Sequence, residues 1–232
     1  LSEPQPQVTA LTIPISEPEN MAHRAERLPD AGLLKLKLAG DGLDLERVRA
    51  VAGAAPRAAL WVDANEGLDV EGLVALAEPF AALGVVMIEQ PLPADRDEPL
   101  AEIHLPIPLC ADESFNGGVA AVEALSDRYQ LVNVKLDKVG GLTEAIRVCD
   151  VLRAKGLDFV LGCMCSSSLS LAPAFMLAAD ARYVDLDAGY LLAEDREGAD
   201  GGEDLGLGLL PAAAEPWQAP AMRMPVRASH RP

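Results

Sequence analysis

A chain of 232 residues with a formal net charge of −17, half of it hydrophobic and only 4% aromatic, is long enough for one large α/β domain with a core of Ala, Leu and Val. That charge sets the chain against nucleic acid and against an anionic membrane surface. No apolar run reaches the ~18 residues that span a bilayer, and no secretory signal opens the sequence.

Short apolar runs then alternate with amphipathic ones. The first run is 11–15, and Pro18 suits the start of a helix over 19–31. Strand-like runs follow at 34–38, 60–63, 85–89, 107–111, 131–136, 159–161 and 183–186. Helical patterns lie between them at 44–54, 70–83, 118–125, 142–155 and 171–179, while the Pro-rich stretch 94–108 has room for a short helix only. Continuous apolar runs are what parallel strands buried on both faces require. Eight strands and seven helices predict a (β/α)7β TIM-like barrel over 1–192. An open doubly wound sheet is the alternative. It would gather polar residues at one switch point, whereas here they end strand after strand. Residues 193–232 change character: 194–204 is acidic and Gly-rich and reads as a loop, and 211–232 is rich in Ala and Pro and reads as a strap or tail. The four cysteines, Cys110, Cys149, Cys163 and Cys165, lie in or beside apolar segments with no histidine to complete a zinc site. Buried thiols in a reducing cytoplasm are expected.

Asp63, Glu89 and Asp112 each end a strand-like run, 26 and 23 residues apart, about one βα unit each. A lone acid at a strand end is commonly a cap. Three in consecutive units converge at the C-terminal mouth of a barrel, and oxygen-only ligands suit Mg²⁺, with Mn²⁺ as a substitute.

Lys35 and Lys37 alternate with leucines, so they share one face of the second strand. Their like charges are expected to lower each other's pKa. Lys135 and Lys138 close the sixth strand, four positions round the ring and so directly across it. Strict alternation does not put Lys135 and Lys138 on one face, which requires the strand to end or bulge near Asp137. A lysine on each side of a carbon acidified by a neighbouring carboxylate can remove a proton from one face and return it to the other, inverting the centre. With a leaving group on the next carbon, the same enediolate would eliminate instead. Asp185 and Asp187 share a face at the end of the eighth strand and suit a cationic group.

These residues resemble the enolase superfamily in its muconate-lactonizing subgroup, and within it the dipeptide epimerases. The segments that carry the likeness are LKLKL, VDAN, IEQPLP, ADES, VNVKLDKVGGLTEA, LGCM and DLDAG, between about Thr12 and Leu192. The resemblance implies Mg²⁺-dependent epimerisation of dipeptides, L-Ala-D/L-Glu or related, in cytoplasmic recycling of cell-wall peptides. It implies Lys37 and Lys138 as the two bases and Asp63, Glu89 and Asp112 as the Mg²⁺ ligands. Lys35 would neutralise a substrate carboxylate, with Lys135, Cys163 and Met164 also beside the substrate. Asp185 and Asp187 would hold the dipeptide's ammonium. A lyase or cycloisomerase of the same superfamily is the alternative, as is an impaired barrel. The family's N-terminal α+β capping domain has no counterpart among these 232 residues, so apolar surface is expected at the mouth. The oligomeric state is left open, a homo-oligomer included.

Overall fold

The segment 8–13 hydrogen-bonds to both the last strand and the second strand of the ring, and so closes a barrel. The structure is a computed structural model, and it describes residues 8–192 and 210–211. The closing segment is β1 (Val8–Thr9) and β2 (Leu11–Ile13), one strand interrupted at Ala10. After α1 (Pro18–Glu26) come β3 (Leu33–Lys37), α2 (Asp44–Ala54), β4 (Ala59–Asp63), α3 (Val70–Ala82) and β5 (Val85–Glu89). A 3₁₀ turn over Glu98–Glu102 leads to β6 (Leu109–Ala111), α4 (Val119–Glu123), β7 (Leu131–Lys135), α5 (Leu136–Val139) and α6 (Leu142–Ala154). Then follow β8 (Asp158–Gly162), α7 (Ser168–Leu171), α8 (Phe175–Ala178) and β9 (Tyr183–Asp185). All pairings are parallel, each strand beside the next, with β2 on β3 and β1 on β9. This is the (β/α)7β barrel that the alternation of runs predicts, and the open sheet is set aside.

Two cores follow from the period of two along each strand. One residue in two faces the helices: Leu34, Leu36, Val62, Ile88, Val132, Val134 and Leu161 pack there with Met21, Val48, Leu73, Phe80 and Val148. The intervening residues face inward, where Ala10, Leu33, Trp61, Met87, Cys110, Leu131 and Val160 form the apolar floor of the barrel. Each large side chain buried this way contributes ~1.5–3 kcal/mol.

Local chemistry sets the element ends. Pro18 is accepted in the first turn of α1. Asp69 caps α3 by accepting from the Gly72 amide at 2.8 Å. Pro173 falls within the expected helix 171–179, where it lacks an N–H to donate, and a 3₁₀ turn over Ala172–Ala174 separates α7 from α8 there. Cys110 and Cys149 are buried and Cys163 is half-buried, but Cys165 is exposed, because it lies in the loop after β8 rather than on the strand. The expected acidic loop and most of the Ala/Pro-rich tail lie outside the described residues. Leu210–Pro211 alone is described there, as a short strand β10 parallel to β1. Among the described residues no helix is long and apolar enough to cross a membrane.

Candidate active site

Moving two residues along from each member of the apolar floor gives the next inward layer, and that layer is polar. Leu33 leads to Lys35, Trp61 to Asp63, Met87 to Glu89, Cys110 to Asp112, Leu131 to Asn133, Val160 to Gly162 and Tyr183 to Asp185. Lys35, Asp63, Glu89, Asp112, Asn133 and Asp185 are all buried. Two residues further still are Lys37, Asn65, Lys135, Met164 and Asp187, at the rim. The strand order therefore puts Lys37 on β3 across the ring from Lys135 on β7, four positions apart.

Lys35 stands at the centre of the acids. Its ammonium lies 2.7 Å from Glu89 Oε2, 3.1 Å from Asp63 Oδ2 and 2.9 Å from Asp185 Oδ2, and 4.5 Å over the Trp61 ring. Burial alone would lower the Lys35 pKa, but Asp185, Glu89 and Asp63 together raise it well above 10.5. This corrects the expectation that Lys35 and Lys37 depress one another: on Lys35 the acids outweigh any like charge. The same contest appears on the acids. Burial opposes ionisation of Asp63, yet Lys35 and Lys37 hold it down to about 2. Burial and then the Asp63 charge push Glu89 up to about 8.

Lys37 donates to Asp63 Oδ2 at 2.5 Å and to Asn65 Oδ1 at 3.0 Å. Opposite it, β7 ends at Lys135 and α5 begins at once. The helical turn brings Lys138 back over Lys135, which resolves the face problem posed by strict alternation. Lys135 donates to Asp112 Oδ2 at 2.8 Å, and Lys138 donates to Asp112 Oδ1 at 3.0 Å and to the Asp112 carbonyl. Burial opposes ionisation of Asp112, and the two lysines overcome it.

Asp187 accepts the Thr12 amide at 2.8 Å. Burial, then the Asp185 charge, raises the Asp187 pKa. Asp185 Oδ1 is buried without a hydrogen-bond partner. Cys163 points the other way: it packs against the helix-side core, its thiol donates to the Asp185 carbonyl at 3.3 Å, and burial pushes it up to about 12. Only its backbone adjoins the mouth. Met164 is 49% exposed, and Ile15, Leu169 and Leu191 expose apolar surface on the segments after β2, β8 and β9.

Gln90, which follows Glu89 in the segment IEQPLP, was given no role by sequence reasoning. Fully buried, with a left-handed φ of 36°, it joins two of the acidic strand ends. Its Oε1 accepts the amides of Asp112 and Ser114, and the two N–H of its Nε2 are shared among the Leu92 carbonyl, Ser114 Oγ and Tyr129 OH. Behind it Asp97, fully buried, accepts from Ser114 Oγ at 2.5 Å, from Tyr129 OH at 2.7 Å and from Arg128. Asn133 was also missed, although a polar residue in the apolar run LVNVK was a visible signal.

The acid layer fits a small hard cation. Its donors are all carboxylate oxygens on consecutive strands, and buried Glu89 Oε2, though close to Lys35, receives no aligned hydrogen bond. Among the described residues no three acidic, histidine or cysteine side chains are gathered as a metal cage, and Glu89, Asp63 and Asp112 each lie against a lysine.

The family described as Enolase C-terminal domain-like matches residues 20–198 of this sequence. The chain belongs to that family. It is 44% identical over 198 residues to the L-Ala-D/L-Glu epimerase of Escherichia coli (strain K12), covering 84% of this chain and 61% of the relative. It is likewise 44% identical over 190 residues to an N-acetyl-D-glutamate racemase of Pseudoalteromonas sp, covering 82% and 60%. Among solved structures, the dipeptide epimerase from Methylococcus capsulatus complexed with Mg and the dipeptide L-Arg-D-Lys superposes with a TM-score of 0.77 at 36% identity, over 83% of this chain and 57% of that one. The chain thus spans about 60% of the length of these relatives.

Proposed function

We propose that this barrel epimerises an amino-acid centre next to a carboxylate, with dipeptides as the substrate class and Mg²⁺ held by Asp63, Glu89 and Asp112. The observation that carries the reading is the placement of lysines on opposite strands, β3 and β7, above one layer of acids. When bound, Mg²⁺ would supply a positive centre that draws electron density from the substrate carboxylate and acidifies the neighbouring C–H. Mn²⁺ would serve in its place.

The chain's own groups divide the remaining work. Lys37 stands on one side of the reacting carbon and a β7-end lysine on the other. One takes the proton, and the other, already protonated, delivers one to the opposite face, so the centre inverts through its enediolate. We assign the β7-side role to Lys135 in preference to Lys138, which the resemblance implied. Lys135 ends the strand and shares its inward face with Asn133, whereas Lys138 belongs to the turn above it. Lys35, between Asp63 and Asp185, holds positive charge where a substrate carboxylate arrives. Asp185 and Asp187 offer negative charge to an ammonium, which favours a dipeptide with a free N-terminus over an N-acylated amino acid. That pair also weighs against the lyase or cycloisomerase alternative.

The test is proton NMR in D₂O with the chain, Mg²⁺ and L-Ala-L-Glu within a dipeptide panel, against N-acetylglutamate. Loss of the C-terminal residue's α-proton signal with growth of the diastereomer, abolished by EDTA, supports the reading. Exchange on N-acetylglutamate alone would replace the dipeptide by an N-acyl amino acid. Elimination without inversion would replace epimerisation by lyase chemistry.

A further inference from the structure

We propose that Asn133 is a positioning residue for the cation site, tying one oxygen of Glu89 so that the other is presented to the metal. The inference rests on the metal reading above. Asn133 lies in the middle of β7, fully buried, and alternation turns it inward between Leu131 of the apolar floor and Lys135 of the rim. Its Nδ2 donates to Glu89 Oε1 at 2.6 Å. An ionised carboxylate, the form that ligates a cation, can only accept, so in that state this bond sets the amide with nitrogen toward Glu89 and oxygen away.

The oxygen end is unusual. Asn133 Oδ1 is buried and meets no donor. It lies against Gly162 of β8, where an added Cβ would stand 2.3 Å from Oδ1 and 3.0 Å from Nδ2. The φ of Gly162 is outside the left-handed region, so backbone conformation does not demand glycine there. The amide demands it. A buried amide with one end unsatisfied is costly, and an apolar side chain would fill the place at less cost. What the amide supplies is the bond to Glu89.

Glu89 has two oxygens, and the two have different neighbours. Oε1 is held by Asn133, while Oε2 lies 2.7 Å from the Lys35 ammonium without an aligned hydrogen bond. With Oε1 tied back, the carboxylate is hindered from turning to chelate through both oxygens. Oε2 is left as the single donor to a cation.

The experiment is Mn²⁺ binding to the full chain, read by electron paramagnetic resonance of free Mn²⁺ and by calorimetry. It compares wild type, Asn133→Ala, Gly162→Ala and the double variant, with thermal unfolding of each. Asn133→Ala is expected to weaken Mn²⁺ by about 10- to 100-fold, the usual loss when a hydrogen bond behind a metal ligand is removed. Gly162→Ala keeps the amide but drives it off its position, and is expected to weaken Mn²⁺ as well. Once residue 133 is Ala, the Gly162 change should cost no further affinity, since both act through one contact. A merely structural role would lower Tm and leave Mn²⁺ affinity unchanged, and that result overturns the proposal. Should Asn133→Ala fail to fold, Asn133→Ser, too short to reach Glu89, is read the same way. Wild type that binds no Mn²⁺ overturns the metal reading and this inference with it. Wild type that binds, with variants that bind equally, overturns this inference alone.

Discussion

Gln90 Oε1 accepts the backbone N–H of Asp112 at 2.9 Å, so the residue after one acid holds the residue that supplies the next. Five hydrogen bonds converge on this one buried side chain. Its left-handed backbone stores strain that those bonds offset. Gln90→Ala removes all of them and strands buried donors and acceptors, so a loss of ~2–4 kcal/mol is expected in urea unfolding. Gln90→Glu keeps the acceptor oxygen and loses the donors. It should fall between the two, with its carboxylate facing the buried acid Asp97 across Ser114 and Tyr129. Equal stability of wild type and Gln90→Ala would show that the clamp is not under load.

The assignment of the two bases makes a sharper prediction. Lys37→Ala and Lys135→Ala should each lower inversion at least ~100-fold, the scale of a lost acid/base group. Each should act on one face only: with one lysine gone, exchange of the α-hydrogen of one diastereomer is expected to survive better than inversion. Lys138→Ala should keep most of both exchange and inversion, because its ammonium only braces Asp112 from the turn and Lys135 still holds the same carboxylate. The measurement is deuterium incorporation into each diastereomer, followed separately. A collapse in Lys138→Ala with a mild effect in Lys135→Ala would restore Lys138 as the base.

Lys35 supports the acid layer in the absence of a divalent cation. Removing one partner of a buried ionic cluster strands the others, and such losses run to ~3–5 kcal/mol. Lys35→Met, which keeps the side-chain bulk beside Trp61, should therefore unfold at markedly lower temperature than wild type in EDTA. Added Mg²⁺ should recover part of the difference, since it supplies positive charge to the same oxygens. A Tm deficit that Mg²⁺ leaves untouched would mean that Lys35 and the cation do not share partners.

Why some of this was legible and some was not follows from what alternation encodes. Continuous apolar runs gave the strands, and carboxylates ending successive runs gave a shared layer, because parallel neighbours in a barrel carry residues at the same height. The period of two could not carry past the end of β7, where Lys138 takes its position from the first turn of α5. Cys163 is separated from the mouth by the same rule that put Met164 there, a distinction that "beside the substrate" had blurred. The Lys35 pKa was misjudged because like charge was counted and the encircling acids were not. Gln90 and Asn133 are hydrogen-bond devices. Apart from the Leu92 carbonyl, their partners lie 22 to 44 residues away in sequence, and spacing alone does not encode them.

Glu89 makes cation binding pH-dependent, and the sign is fixed by its environment. Burial raises it first, then Asp63 from β4 and Asp112 after β6, while Lys35 from β3 pulls it down, and the net value is about 8 against a usual 4.5. Cys110, on β6, faces the same cluster, and burial holds its thiol protonated. Between those two values the folded metal-free chain keeps a proton that the unfolded chain has released, so stability falls as pH rises through that window. Asp63 acts in the opposite sense. Held at about 2 against 3.8, it contributes stability above its usual value that is lost as pH drops toward the lower one. A cation must displace the Glu89 proton, because only the ionised oxygen ligates. Apparent Mg²⁺ affinity should therefore climb ~tenfold per pH unit below the Glu89 value and level off above it. Calorimetry in buffers of different ionisation heat should count close to one proton released per cation near pH ~6.5, and none above pH ~9. Proton release that stays at zero across that range would mean that Glu89 is already ionised in the metal-free chain, with Lys35 rather than a proton as its counter-charge.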